Sequence, residues 1–309
     1  MRALVKSQSH LGLSEGAVPK PGPGEVLVRV MCAGLCRTDL YVAEGSLAAE
    51  YPRVLGHECA GVIFRLGAGV DQDRLGLRVT VFPWIGCKQC RYCRDDEDQL
   101  GYLCPKRKMI GHHVDGCFAD FMVVPDDRCI PLEEDVTFQA GAYVEPVVAA
   151  LGVLRSPVRK AERVGVLGSN RIAGLTSAIL RDYAQCAHDS LDLSTGEENS
   201  YDLIVETCAT TETLNHAFRC LQPDGVLVLK SRPADNVLWP IRTQVEKEIT
   251  TVGLSYGSLR LALLLLKSKV EIFQDLWSDP VSLSNWEHCF EREAAGEETS
   301  KTFFLPQLR

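Results

Sequence analysis

The hydrophobic pattern changes character near residue 149, and that change restricts the chain to two differently built halves. Before it, short alternating runs such as "VLVRVM", "RVTVF" and "FADFMVV" are punctuated by "PKPGPGE", "RLGAGV" and "PWIG". Period-two alternation between glycine- and proline-rich turns reads as half-buried strands, which suits a small barrel-like domain. After it, "RVGVLG", "LTSAILRDYA", "YDLIVETC", "TLNHAFRCL", "GVLVLKS", "EITTVGL" and "SLRLALLLLKSKV" alternate strand and helix. Alternation of that kind predicts a parallel sheet with crossover helices. A length of 309 residues accommodates two separate cores.

Composition narrows the setting. The net charge of −8 argues against nucleic acid or acidic membranes as main partners. The longest apolar stretch, Leu259 to Leu266, is interrupted by Arg260 and is too short to span a bilayer. "MRALVKSQSH" lacks the apolar core of a signal peptide, so a cytoplasmic chain is expected. Thirteen cysteines in a reducing compartment then point to metal rather than disulfides.

The cysteines cluster. In "GCKQCRYCRDDEDQLGYLC", Cys87, Cys90 and Cys93 are two residues apart and Cys104 follows after ten more. Four thiolates in one short lobe can surround a tetrahedral ion and leave no position for substrate, which predicts a structural zinc site. Cys36 in "CAGLCRTDLY" is followed by His57 and Glu58 in "VLGHECAG". A thiolate, an imidazole and a carboxylate from separate loops form the mixed shell that keeps one position open for water or substrate. Taken alone, a Cys and a His at such a distance are also compatible with two core residues.

In their order and approximate spacing, "GEVLVRVMCAGLCRTDLYVAEG", "YPRVLGHECAGVI", the four-cysteine lobe, "DGCFADFMVVP" and "YVEPVVAAL" resemble the zinc-dependent medium-chain dehydrogenases, the alcohol, sorbitol and threonine dehydrogenase group. The resemblance implies an α/β chain with a GroES-like β-barrel catalytic domain at 1–148, completed by 272–309 through the strand "KTFFL". It also implies a Rossmann-like doubly wound domain at 149–271. Position by position, Cys36 and His57 match the family's catalytic zinc ligands, and Glu58 matches the neighbouring carboxylate that binds or exchanges at the metal. Glu145 matches the second carboxylate of the sorbitol and threonine branch, so the third ligand is left open between Glu58 and Glu145. Thr38 matches the hydroxyl that relays the substrate proton. Asp39 matches the carboxylate that holds the imidazole, a role with independent sense because ligating histidines usually donate their other N–H.

The cofactor half is less regular. In the dinucleotide fingerprint, three small residues make the turn, admit the pyrophosphate and let the helix pack closely. Gly168, Asn170 and Ala173 stand at those positions, so the middle glycine is replaced; Gly174 offers a shifted register. Only 26 residues, 175–200, separate Gly174 from the next strong strand at Tyr201. One helix and one short strand fit there, and a second βα repeat does not, since a βαβ unit takes about 30 residues or more. "QCAHDSLDL" is expected to fill the slot beside the first strand, with Asp189 or Asp192 as the acid for the adenosine ribose.

Three readings follow. One is a zinc-dependent oxidoreductase of the alcohol or polyol dehydrogenase type, interconverting a small polar alcohol and its carbonyl with NAD(P), and holding one catalytic and one structural Zn²⁺. The second is a zinc lyase, hydratase or isomerase that has lost the dinucleotide, and the third a catalytically silent relative. The choice between NAD and NADP stays open. The resemblance further implies a homodimer or homotetramer, with "GVLVLKS" and "EITTVGL" as candidate edge strands.

Overall fold

The computed structural model describes residues 1–95, 101–233, 236–296 and 300–308. Residues 96–100 of the cysteine lobe and 297–299 of the charge-rich stretch "EREAAGEETS" lie outside the described residues. Two compact units emerge: Met1–Glu145 with Leu259–Val270 and Trp277–Arg309, and Pro146–Ser258 with Glu271–Leu276. The expected second domain, 149–271, thus differs from the observed unit. Helix Leu259–Ser268, the segment "LRLALLLLKS", clusters with the first unit, and Glu271–Leu276 with the second.

In the first unit, the long strand Glu25–Gly34 organises the main sheet. It pairs antiparallel with Glu58–Leu66, Phe121–Pro125 and Phe303–Leu305. Arg78–Val81 and then Cys129–Pro131 extend the sheet beyond Glu58–Leu66, and Val281–Ser282 pairs with Phe303–Leu305. The smaller sheet of Leu11–Glu15, Arg2–Lys6 and Arg53–Val54 is tied to the rest by the Ala3–Ala119 bridge. Val26, Val28 and Val30 are fully buried with Leu4, Leu55, Ile63, Phe118 and Phe304. Each such side chain contributes on the order of 1.5–3 kcal/mol by leaving water, which makes this strand the spine of the unit.

The second unit is a five-stranded parallel sheet in the order His188–Leu191, Val164–Leu167, Tyr201–Glu206, Leu221–Leu229, Thr250–Gly253. Two apolar layers cover its faces. Leu167, Ile204 and Leu227 pack with Leu214 and Phe218 of helix Thr211–Cys220. Val164, Val166, Leu203 and Val205 pack with Ala173 of helix Arg171–Ala178. That helix runs into a π turn at Ile179–Tyr183, and Gln185 takes a positive φ of 53°, so the chain reverses quickly into the short strand His188–Leu191. "GVLVLKS" proves to be internal, whereas Thr250–Gly253 ends the sheet. Among the described residues, no helix is long and apolar enough to cross a membrane.

Candidate active site

Strand pairing explains why residues 21 positions apart in sequence meet. The register Gly34↔Glu58 sets the end of one strand beside the start of the next. Cys36, two residues past Gly34, therefore comes next to His57, one residue before its partner strand. The Cys36, His57 and Glu58 ligand atoms all lie within 4.8 Å of one another. Gly56 makes the approach possible: its φ is +93°, and a Cβ there would come within 2.5 Å of the Phe118 ring.

Asp39 braces both loops. It lies in the first turn of helix Arg37–Glu44, which begins directly after Cys36. Its Oδ2 accepts from Cys36 N at 2.9 Å, while Oδ1 accepts from Gly56 N at 3.1 Å and meets His57 Nδ1 at 3.2 Å. An imidazole that donates Nδ1–H to a buried carboxylate presents Nε2 as the free ligand atom. Burial opposes charge on His57, but Asp39 and then Cys36 outweigh it and hold the ring's pKa well above its ordinary value. The half-buried Thr38 hydroxyl stands 3.8 Å from Cys36 Sγ.

Glu58 has a partner that sequence reasoning missed. Its Oε2 forms an ion pair with Lys301 Nζ, the two side chains being 1% and 4% exposed. Burial pushes the Glu58 carboxyl up; Lys301 and His57 pull it down, Glu145 adds to the rise, and the net direction is upward. Glu145 is buried and close enough to exert that charge, yet it stands outside the Cys36, His57 and Glu58 set. The sequence signal for Lys301 was "KTFFL", but only the register Phe303↔Gly34 reveals that its first residue reaches Glu58.

The four-cysteine lobe also assembles. Cys87, Cys90, Cys93 and Cys104 have their sulfurs within 4.8 Å of one another. Cys87 N donates to Cys104 Sγ, Cys90 N to Cys87 Sγ and Lys106 N to Cys104 Sγ, each at 3.4 Å. Such N–H groups stabilise thiolates, and those of Gln89 and Cys90 lower Cys87 to about 6. The donor sets fit zinc in two ways: four sulfurs suit a closed tetrahedral site, and sulfur, nitrogen and oxygen suit an open one.

In the second unit, Gly168 forms the turn after Val164–Leu167, and Ala173 is buried where the helix meets the sheet. Asn170 caps helix Arg171–Ala178, accepting from Ala173 N at 3.0 Å. Asp189 does not occupy the position expected for a ribose acid. It pairs with Gly165, two positions before the carboxyl end of the sheet, and accepts from Tyr201 Oη at 2.7 Å and Arg163 Nε at 3.3 Å. Asp192 is the acid at the carboxyl end, following Leu191, whose carbonyl accepts from Gly168 N at 3.0 Å. Glu206 was missed as well. It ends the central strand fully buried, its Oε2 accepts from Ser231 Oγ at 2.9 Å, and burial pushes its pKa up.

Residues 22–134 match the alcohol dehydrogenase GroES-like domain family. Probable D-xylulose reductase A of Neosartorya fischeri is 27% identical over 89% of this chain and 88% of its own length. L-galactonate-5-dehydrogenase of Escherichia coli K12 is 34% identical over 58% of this chain and 52% of its own. The chain thus contains an alcohol dehydrogenase GroES-like domain and is alcohol dehydrogenase-like. Its fold matches that of the E. coli CFT073 alcohol dehydrogenase RspB, solved with NADH, at a TM-score of 0.87, 21% identity and 99% coverage of both chains. The three-residue donor set lies inside or next to strand Glu58–Leu66 and helix Arg37–Glu44, both within the first unit.

Proposed function

We propose that the chain is a zinc-dependent oxidoreductase that interconverts a small polar alcohol and its carbonyl with a nicotinamide dinucleotide. The observation that carries this reading is the convergence of Cys36, His57 and Glu58, with Asp39 holding both loops and Thr38 alongside. Zinc held by that set supplies Lewis acidity that lowers the pKa of a hydroxyl, and the dinucleotide supplies a hydride acceptor. The protein's own part is positional. Asp39 fixes the imidazole, the Thr38 hydroxyl passes the substrate proton, and the Glu58–Lys301 pair keeps a carboxylate ready beside Cys36 and His57, with Glu145 near enough to exchange with it. The four-cysteine lobe holds the second, structural zinc.

For the cofactor, Gly168, Asn170 and Ala173 are read as the phosphate turn and Asp192 as the ribose acid, which favours NAD over NADP because a 2′-phosphate would meet a carboxylate. The relatives bear names of reductases and dehydrogenases, which supports the redox reading over a zinc lyase, hydratase or isomerase. The edge strand Thr250–Gly253 is the candidate for pairing between copies in a homodimer or homotetramer, and a reducing cytoplasm suits a chain that keeps so many thiols for metal. The test is titration with NADH and NADPH by nicotinamide fluorescence, followed by a screen of polyols for NAD reduction. Saturable NADH binding and zinc-dependent reduction are expected. Absence of binding by either nucleotide would refute the redox assignment.

A further inference from the structure

The strand order of the second unit reverses direction around Val164–Leu167: the next strand, His188–Leu191, lies on one side and Tyr201–Glu206 on the other. Ligands of doubly wound sheets bind at that reversal, outside the carboxyl ends of the strands. Here the two loops at the crevice touch. Gly168 has φ +115°, and a Cβ on it would lie 2.4 Å from Thr207 Oγ1 and 2.9 Å from Cys208 Sγ.

Asn170 spans this crevice. Its backbone is extended, with φ −77° and ψ 174°, so the position does not need glycine for conformational reasons. What it adds is a side chain engaged at both ends: Oδ1 accepts from Ala173 N at 3.0 Å, and Nδ2 donates to Thr207 O at 2.6 Å. The first bond occupies a first-turn N–H of the helix that follows the turn, the kind of group that binds phosphate in such folds. The second clasps the two loops together. Beside them, at the end of Tyr201–Glu206, the buried Oε1 of Glu206 has no hydrogen-bond partner among the described residues. The Glu206 carboxyl itself is held by Ser231, just past the neighbouring strand Leu221–Leu229, so it does not take part in the Asn170 clasp.

We propose that Asn170 is an internal competitor for the dinucleotide pyrophosphate: its amide holds the helix N–H and the Thr207 carbonyl in the free protein and has to leave both for the phosphates to dock. Cofactor affinity is thereby set by this side chain as well as by the turn. The inference rests on the dinucleotide-dependent reading above and goes beyond it by assigning a role to the one residue that departs from the glycine pattern.

The test compares wild type with Asn170→Gly and Asn170→Asp in the full zinc-loaded chain, using NADH, ADP-ribose and adenosine as probes. Glycine is a nearly equivalent helix cap, so that variant keeps its fold, which thermal melting verifies. Removing a competing hydrogen bond tightens binding of NADH and ADP-ribose about 2- to 10-fold, and leaves adenosine, which has no phosphate, unchanged. Asn170→Asp, which retains an acceptor for Ala173 N but adds negative charge, binds both phosphate ligands more weakly than wild type. A purely structural clasp predicts the opposite for glycine, namely weaker binding of all three. Unchanged or weakened NADH binding by Asn170→Gly, or an equal gain for adenosine, overturns the competitor role while leaving dinucleotide use standing. If neither wild type nor Asn170→Gly binds NADH or ADP-ribose, both the competitor role and the redox assignment fall.

Discussion

Changing Lys301 to Met should destabilise the first unit by about 3–5 kcal/mol, the range for breaking a buried ion pair, rather than the 0–1 kcal/mol of a surface pair. The exposures decide between the two ranges: 4% for Lys301 and 1% for Glu58 leave neither charge in water. Methionine keeps most of the lysine stem's volume, so the loss is electrostatic and no cavity contributes. The low end of the range is favoured, because burial and Glu145 already push Glu58 toward its neutral form and protonation relieves part of the cost. Replacing Glu58 by Gln strands the ammonium instead and should cost a similar amount. The double variant removes both charges and should return to within about 1 kcal/mol of wild type, giving a large coupling in the cycle. Urea unfolding followed by tryptophan fluorescence measures this in all four proteins with the metal removed, so that loss of the Glu58 ligand does not enter the cycle. A Trp239→Phe background leaves Trp84, Trp277 and Trp286, all in the first unit, as reporters. A single-variant cost below about 1 kcal/mol, or a double variant equal to the sum of the singles, would refute the buried-pair argument.

Metal analysis should find two zinc ions per chain, falling to one with Cys36→Ser and to one with Cys90→Ser; an unchanged count in either variant removes that cysteine from its proposed shell. Loss of a hydrogen bond to a charged acceptor gives Asp192→Ala about 10-fold or more weaker NAD binding and a shift toward NADP. Asp189→Asn should leave both cofactors unaffected in the same titration, and a reversal of these outcomes would restore Asp189 as the ribose acid. For Glu206 the folded pKa is raised above the ordinary value of 4.5, so its contribution to stability is complete below that value and is lost as pH rises through the folded pKa. Glu206→Gln cannot ionise, so its melting temperature relative to wild type should be higher at about pH 7 than at about pH 4, and a pH-independent difference would count against a raised pKa.

The two donor clusters of the first unit were legible because they are written in residue types that have few other uses at such density. Four cysteines in one lobe, and a Cys, His and Glu on either side of a strand pair, mark candidate ligands from the sequence alone. The Asp39–His57 contact was legible for a related reason, since an imidazole that is to ligate a metal would need an acceptor for its other N–H. Lys301 was not, because a lysine near the carboxyl end looks like any solvated charge until the register Phe303↔Gly34 and Gly34↔Glu58 stacks three strands. Asp189 misled because counting about 20 residues from Gly168 fixes a position only within a few residues, and in a four-residue strand that is the difference between its middle and its end. The helix Leu259–Ser268 misled in another way: periodicity identifies a helix but says nothing about which core its apolar face joins.

The short segment between Gly174 and Tyr201 bears on cofactor use less than its length suggests. Binding at a strand-order reversal needs the two flanking strands and the acid at the end of the next one, and all three are present: Val164–Leu167, Tyr201–Glu206 and His188–Leu191 followed by Asp192. A further strand beyond His188–Leu191 would extend the sheet away from the crevice. Without one among the described residues, His188–Leu191 is an edge, and an unprotected edge invites pairing with another chain. This edge is shielded by charge: Arg163 pairs with the exposed Asp189 and with Glu197, and Tyr201 Oη donates to the same Asp189. Asp189 thus guards the sheet's outer margin, while Asp192 follows the carboxyl end of the strand with its Oδ1 accepting from Ser194 N at 2.7 Å. A sheet trimmed at that margin keeps the strand-order reversal at which dinucleotides bind in such folds, so the proposed effects of Asn170 and Asp192 on affinity can be tested without reference to the missing repeat.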